Sequence, residues 1–102
     1  VLDMGYTLLE DCGFTRAEAV RATGQLVMRN IENVLEAGCD GALTGPIERN
    51  DIETVKKHIA CMQNDDSDDV SLYKMLGTKL VNIAEKKNPD KDYTQMMELL
   101  RG

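Results

Sequence analysis

Apolar residues return every three to four positions along this chain, and no segment sustains the period-two alternation that a half-buried strand requires. This spacing predicts an all-α fold of about five helices, broken where glycine and proline interrupt it. The chain opens VLDMGYTLLEDCG without an initiator Met, with the apolar spacing already under way at Val1 and Leu2. It therefore reads as a piece cut from a longer protein.

The first helix is expected from Val1 to about Cys12, with Leu2, Tyr6 and Leu9 on one face and Gly13 as a left-handed stop. In FTRAE, Thr15 is placed as an N-cap, Glu18 closes a capping box, and Phe14 can staple onto Ala19. The second helix carries Val20, Gly24, Val27, Ile31, Val34 and Leu35 on one stripe until Gly38 ends it, and is expected to be the spine of the domain. Gly in a helix interior costs about 1 kcal/mol against Ala, so Gly24 is expected to mark a close helix crossing. Asp51 is the expected N-cap of a third helix with Ile52, Val55, Ile59 and Met62 inward. A fourth helix bears Leu72, Leu76, Leu80 and Ile83; after a break at NPDKD, a short last one bears Tyr93, Met96, Met97 and Leu100. NDDSDD, Asn64 to Asp69, reads as an exposed linker.

With 18 acidic against 12 basic residues and a net charge of -6, the chain lacks the positive surface that phosphate backbones demand, which argues against nucleic acid as a partner. No apolar run approaches the roughly 18 residues of a membrane helix, and no secretory leader is present. Three cysteines without CxxC spacing, Cys12, Cys39 and Cys61, suggest reduced thiols in a cytoplasmic protein.

Several clusters invite chemistry and mostly fail on pattern. A calcium loop from Asp65 wants Gly where Val70 stands and Glu where Leu76 stands. His58 and Cys61, spaced i, i+3, offer half of a metal site, and no second pair completes it. A cysteine nucleophile with His58 as base lacks an orienting carboxylate, so buried or neutral thiols are the expected reading. Six Met residues suit either irregular core gaps or an adaptable partner surface.

The stretch ALTGPIERND, Ala42 to Asp51, holds more chemistry than a helix connection needs. Gly45 permits torsions closed to other residues and Pro46 fixes the turn, while Leu43 and Ile47 can plug into the core on either side. Such a turn holds Thr44 and Arg49 in fixed directions. The residues alone leave two roles open for Arg49: a cleft contact, or a structural cap on helix carbonyls or partner of Asp51.

The run ALTGPIERNDIETVKKHI resembles the signature of the C-terminal helical domain of Rossmann-like proteins of unassigned function, relatives of pyrroline-5-carboxylate reductase, ketopantoate reductase and the 6-phosphogluconate dehydrogenase group. That pattern reads Leu-Thr-Gly-Pro-Ile, one residue, Arg-Gly-Asp, then a Thr-Val pair and a His. Leu43, Thr44, Gly45, Pro46, Ile47, Arg49, Asp51, Thr54, Val55 and His58 all match, and Asn50 stands where the family has Gly. Asn is the residue next most tolerant of a left-handed conformation, so the turn is expected to survive. The resemblance extends upstream through Gly13, Asn30 and Asn33 and downstream to Tyr73, Leu76 and Gly77; it is weakest in the acidic linker and the last helix.

The resemblance implies an NAD(P)-binding Rossmann domain upstream, with this helical domain completing the cleft and dimerising. The chain itself has no glycine-rich dinucleotide fingerprint, and so no cofactor site of its own is expected. Thr44, Gly45, Pro46, Arg49 and Asp51 are the candidate residues of the substrate cleft, for a small molecule of unknown identity, and His58 is the candidate for proton transfer. No metal site is expected. The competing reading is a free-standing helical interaction module without catalysis.

Overall fold

A computed structural model describes residues 1–62 and 68–102. Five helices follow one another: α1 (Leu2–Asp11), α2 (Arg16–Ala42), α3 (Ile52–Met62), α4 (Asp69–Lys87) and α5 (Thr94–Arg101), with no strand among the described residues. The fold is all-α. The acidic linker expected from Asn64 lies largely outside the described residues, as does the start of the rejected calcium loop at Asp65; Asp68 and Asp69 belong to the N-terminus of α4. The chain divides after Gly38 into two compact units.

The first unit, Val1–Gly38, is held by local chemistry. Gly13, at φ 105°, turns the chain out of α1, and the Phe14 amide donates to the Leu9 carbonyl at 3.1 Å. Thr15 and Glu18 form the expected reciprocal box: the Thr15 amide donates to the Glu18 carboxylate at 3.0 Å, and the Glu18 amide donates to the Thr15 hydroxyl at 3.1 Å. Arg16 adds ion pairs to Asp3 at 3.1 Å and Glu10 at 2.9 Å, and its guanidinium lies over the Tyr6 ring.

Gly38, at φ 76° and ψ 174°, ends the long helix as expected, and a separate short helical stretch runs on from it to Ala42. Ala19 is the one buried residue of α2, and Val20, Ile31 and Leu35 are 42, 50 and 81 % exposed. Among the described residues nothing lies within 4 Å of a Cβ built on Gly24. Periodicity identifies which face of a helix is apolar; it carries no information about what covers that face.

The second unit, Cys39–Gly102, contains the core. Ile47 from the α2–α3 loop, Val55 and Ile59 from α3, Val81 and Ala84 from α4, and Tyr93, Met96 and Leu100 from the last segment form one buried cluster. The inward residues expected of α3 and α5 are the ones found. The face of α4 is found in part: Leu80 packs against the core and Ile83 is half-buried, whereas Leu72 and Leu76 are exposed and Gly77, Val81 and Ala84 are the buried residues, a rotation of about one residue or 100°. The cause is the close approach at Gly77, where an added Cβ would stand 2.8 Å from a Leu100 methyl and 3.4 Å from one of Ile47. Only a residue without a side chain lets α5 and the loop seat this near, and that fixes which side of α4 turns inward.

Candidate functional site

The loop from Leu43 to Asp51 is built by its own backbone and then clamped from outside. Three amides turn back onto carbonyls within it: Arg49 to Gly45 at 3.0 Å, Asn50 to Ile47 at 3.1 Å and Asp51 to Pro46 at 2.8 Å. Gly45 sits at φ 118° and Asn50 at φ 61°, so the Asn in place of the family's Gly does hold the left-handed conformation. Ile47 is buried in the core beneath the turn, while Leu43 packs against it half-buried.

The clamp comes from the α4–α5 junction. The Tyr93 hydroxyl, on a residue 3 % exposed, donates to the Glu48 carbonyl at 2.6 Å and accepts from the Asn88 amide at 3.1 Å. The Asn88 amide also donates to the Glu48 carboxylate at 3.1 Å, and Lys87 lies 3.6 Å from that carboxylate while donating to the Leu43 carbonyl at 2.6 Å. The hydrogen bond from Asn88, with the charges of Lys87 and Lys91 behind it, holds the Glu48 carboxyl below its ordinary range. The Asn50 amide ties the loop's far end to the Asp92 carbonyl at 2.9 Å. Asp51 caps α3, accepting from the Thr54 amide at 3.1 Å and hydroxyl at 2.7 Å. The hydroxyl contact is the main reason that its carboxyl, too, is lowered.

The candidate residues now separate. Gly45, Pro46 and Asp51 are half-buried and shape the turn, whereas Thr44 and Arg49 are exposed. Among the described residues neither of those two side chains makes a hydrogen bond or an ion pair within 4.0 Å; Arg49 reaches Asp51 only as a lesser charge effect. The cation that satisfies a carbonyl just past α2 is Lys87. His58 is exposed on α3 and pairs with none of the loop residues; its partner is Tyr73 of α4, with Nδ1 and the hydroxyl 2.9 Å apart. Cys12, Cys39 and Cys61 are all exposed, contrary to the burial expected as one option for their thiols. Among the described residues no group of three or more His, Cys, Asp or Glu side chains is arranged to hold a metal, and no helix is long and apolar enough to cross a membrane.

The model of a domain of unknown function, DUF2520, matches residues 1–80. The chain belongs to this family. No curated protein and no solved structure matches it. The DUF2520 match includes Thr44, Arg49, Asp51, His58 and Tyr73, and ends before Lys87, Asn88 and Tyr93, the residues that clamp the loop.

Sequence reasoning did not find Glu48, Lys87, Asn88 or Tyr93 as parts of the loop's support. Tyr93 was legible as a core anchor by its spacing, but its hydroxyl contact spans 45 residues and leaves no periodic trace. A cavity of about 540 Å³ opens beside the same junction, between Asn82, Glu85, Lys91, Glu98 and Arg101, and includes none of the candidate site residues.

Proposed function

We propose that this DUF2520 chain is the C-terminal helical domain of an NAD(P)-dependent oxidoreductase, forming one wall of the substrate cleft and the dimer contact, with the cofactor held by a Rossmann domain upstream. The supporting observation is a division of labour in the loop. Glu48, Asn50 and Asp51 carry its structure, and Thr44 and Arg49 stand exposed on it without side-chain partners among the described residues. A guanidinium on a fixed turn matches a planar carboxylate bidentately, which suits a small carboxylate-bearing substrate. The exposed apolar face of α2 is the surface assigned to the dimer.

Arg49→Ala tests the reading. In the 102-residue chain the change is expected to alter stability by less than about 0.5 kcal/mol, as for a surface residue without partners. In the longer protein it lowers kcat/KM on the order of 10- to 100-fold, the loss of a charge-assisted pair. A large stability loss with kcat/KM preserved would leave Arg49 as architecture and end the cleft assignment.

A second reading, a free-standing interaction module, draws on Met28 and Met75, 57 and 62 % exposed, as adaptable contacts for a partner helix. The encoding reading frame separates the two: an upstream βαβ unit with a glycine-rich turn favours the oxidoreductase, and a start codon just before Val1 favours the module.

A further inference from the structure

His58 and Tyr73 come from α3 and α4, fifteen residues apart, and meet by both edge and atom. Nδ1 and the hydroxyl are 2.9 Å apart, the ring centroids 5.9 Å, and the ring planes stand at 86°. Each sits next to the core, His58 beside buried Ile59 and Tyr73 one turn before buried Gly77, so neither helix can turn without disturbing packing. Desolvation pushes the Tyr73 phenol above its ordinary range, so the hydroxyl keeps its proton at neutral pH. A phenol hydroxyl is a strong donor and a weak acceptor and a neutral imidazole nitrogen a strong acceptor, so of the two directions that the 2.9 Å contact allows, the one with Tyr73 donating to Nδ1 is the better matched. A neutral imidazole that accepts at Nδ1 carries its proton at Nε2. No described residue accepts from Nε2, and His58 is exposed.

We infer that Tyr73 is a positioning residue that locks His58 in the Nε2–H tautomer, making His58 a hydrogen-bond donor to a carbonyl or carboxylate oxygen of a small oxo-acid substrate. The identity of that acceptor rests on the cleft reading proposed above. The inference also changes the role first expected of His58. With Nδ1 occupied and Nε2 protonated, the neutral ring has no free lone pair with which to take a proton, from substrate or from Cys61, and acts by stabilising negative charge on oxygen. A hydroxyl that merely tied α3 to α4 would fix the same ring proton, so the response of Nε2 to a substrate oxygen is what separates the two roles.

The experiment uses Tyr73→Phe, which keeps the aromatic ring and removes the hydroxyl, and reads ring ¹⁵N resonances of the 102-residue chain at a pH where the imidazole is neutral. Wild type is expected to show a single tautomer with the proton on Nε2, and Tyr73→Phe a mixture. Pyruvate, a small 2-oxo acid offering both oxygen types, is expected to shift the Nε2 resonance in wild type, with the shift reduced in Tyr73→Phe. A tautomer mixture in wild type, or one unchanged in Tyr73→Phe, overturns the positioning role. A single tautomer whose Nε2 resonance ignores pyruvate overturns the donor role. Should Tyr73→Phe fail to fold, the wild-type tautomer and its response to pyruvate decide. Failure of the oxidoreductase reading shows elsewhere, as an absence of NAD(P)H-dependent turnover by the longer protein, and leaves the tautomer result standing.

Discussion

Gly24 and Gly77 both lie inside helices, and a methyl group added to each has opposite consequences. Among the described residues nothing lies within 4 Å of a Cβ at Gly24, so Gly24→Ala is expected to recover about 1 kcal/mol of helix propensity. At Gly77 the same gain is set against a Cβ 2.8 and 3.1 Å from two methyls of Leu100, itself 2 % exposed. Overpacking of this kind costs about 1–3 kcal/mol, so Gly77→Ala is expected to lose about 1 kcal/mol net. Denaturant midpoints at constant m-value check both signs. A Gly24→Ala chain less stable than wild type would point to a close packing partner at Gly24. Helix propensity assigns both glycines the same cost, and what sets Gly77 apart is the distance to Leu100.

Among the elements, the caps were legible and the faces only in part. The Thr15–Glu18 box and the Asp51 cap are contacts of three residues' span, fixed once the local backbone turns helical. The inward face of α4 depends on α5 and Ile47, which approach it from elsewhere in the chain. The clamp on the loop is of the same kind. Tyr93→Phe leaves the Glu48 carbonyl without its donor and removes the acceptor of one Asn88 contact, with an expected loss of about 1–3 kcal/mol. Thermal melts of the 102-residue chain measure it. Because the clamp sets the loop's shape, the variant is also expected to raise backbone exchange rates between Leu43 and Asp51 more than those in α1; uniform change across the chain would contradict a local clamp.

For the whole molecule, four carboxylates set the acid limit of stability. Glu18 is lowered chiefly by the Thr15 amide, Glu48 by Asn88, Asp51 by the Thr54 hydroxyl and Asp92 by the Thr94 hydroxyl. Each binds its proton more readily once the chain unfolds. Their contribution is therefore complete above about pH 5 and is lost as pH falls through the folded-state values, below about pH 4. The melting temperature should be flat between about pH 7 and 5 and drop below about pH 4; a flat profile to about pH 3 would remove these contacts from the account. Self-association is the second prediction at this scale. Sedimentation over a range of concentrations should show a dimer that Ile31→Lys dissociates, since Ile31 is 50 % exposed on the apolar face of α2. A strict monomer at high concentration would leave that face to a different partner.

The sequence by itself determined the all-α class, the helix starts and stops, the left-handed positions at Gly13, Gly45 and Asn50, and the rigid loop that carries Thr44 and Arg49. These depend on backbone torsion, capping and period, all of which act within a few residues. Tertiary structure alone decided that Gly77 is a close approach, that Glu48, Lys87, Asn88 and Tyr93 hold the loop, and that His58 meets Tyr73. Each of these is a distance between segments far apart in the chain, set by packing that no local pattern encodes.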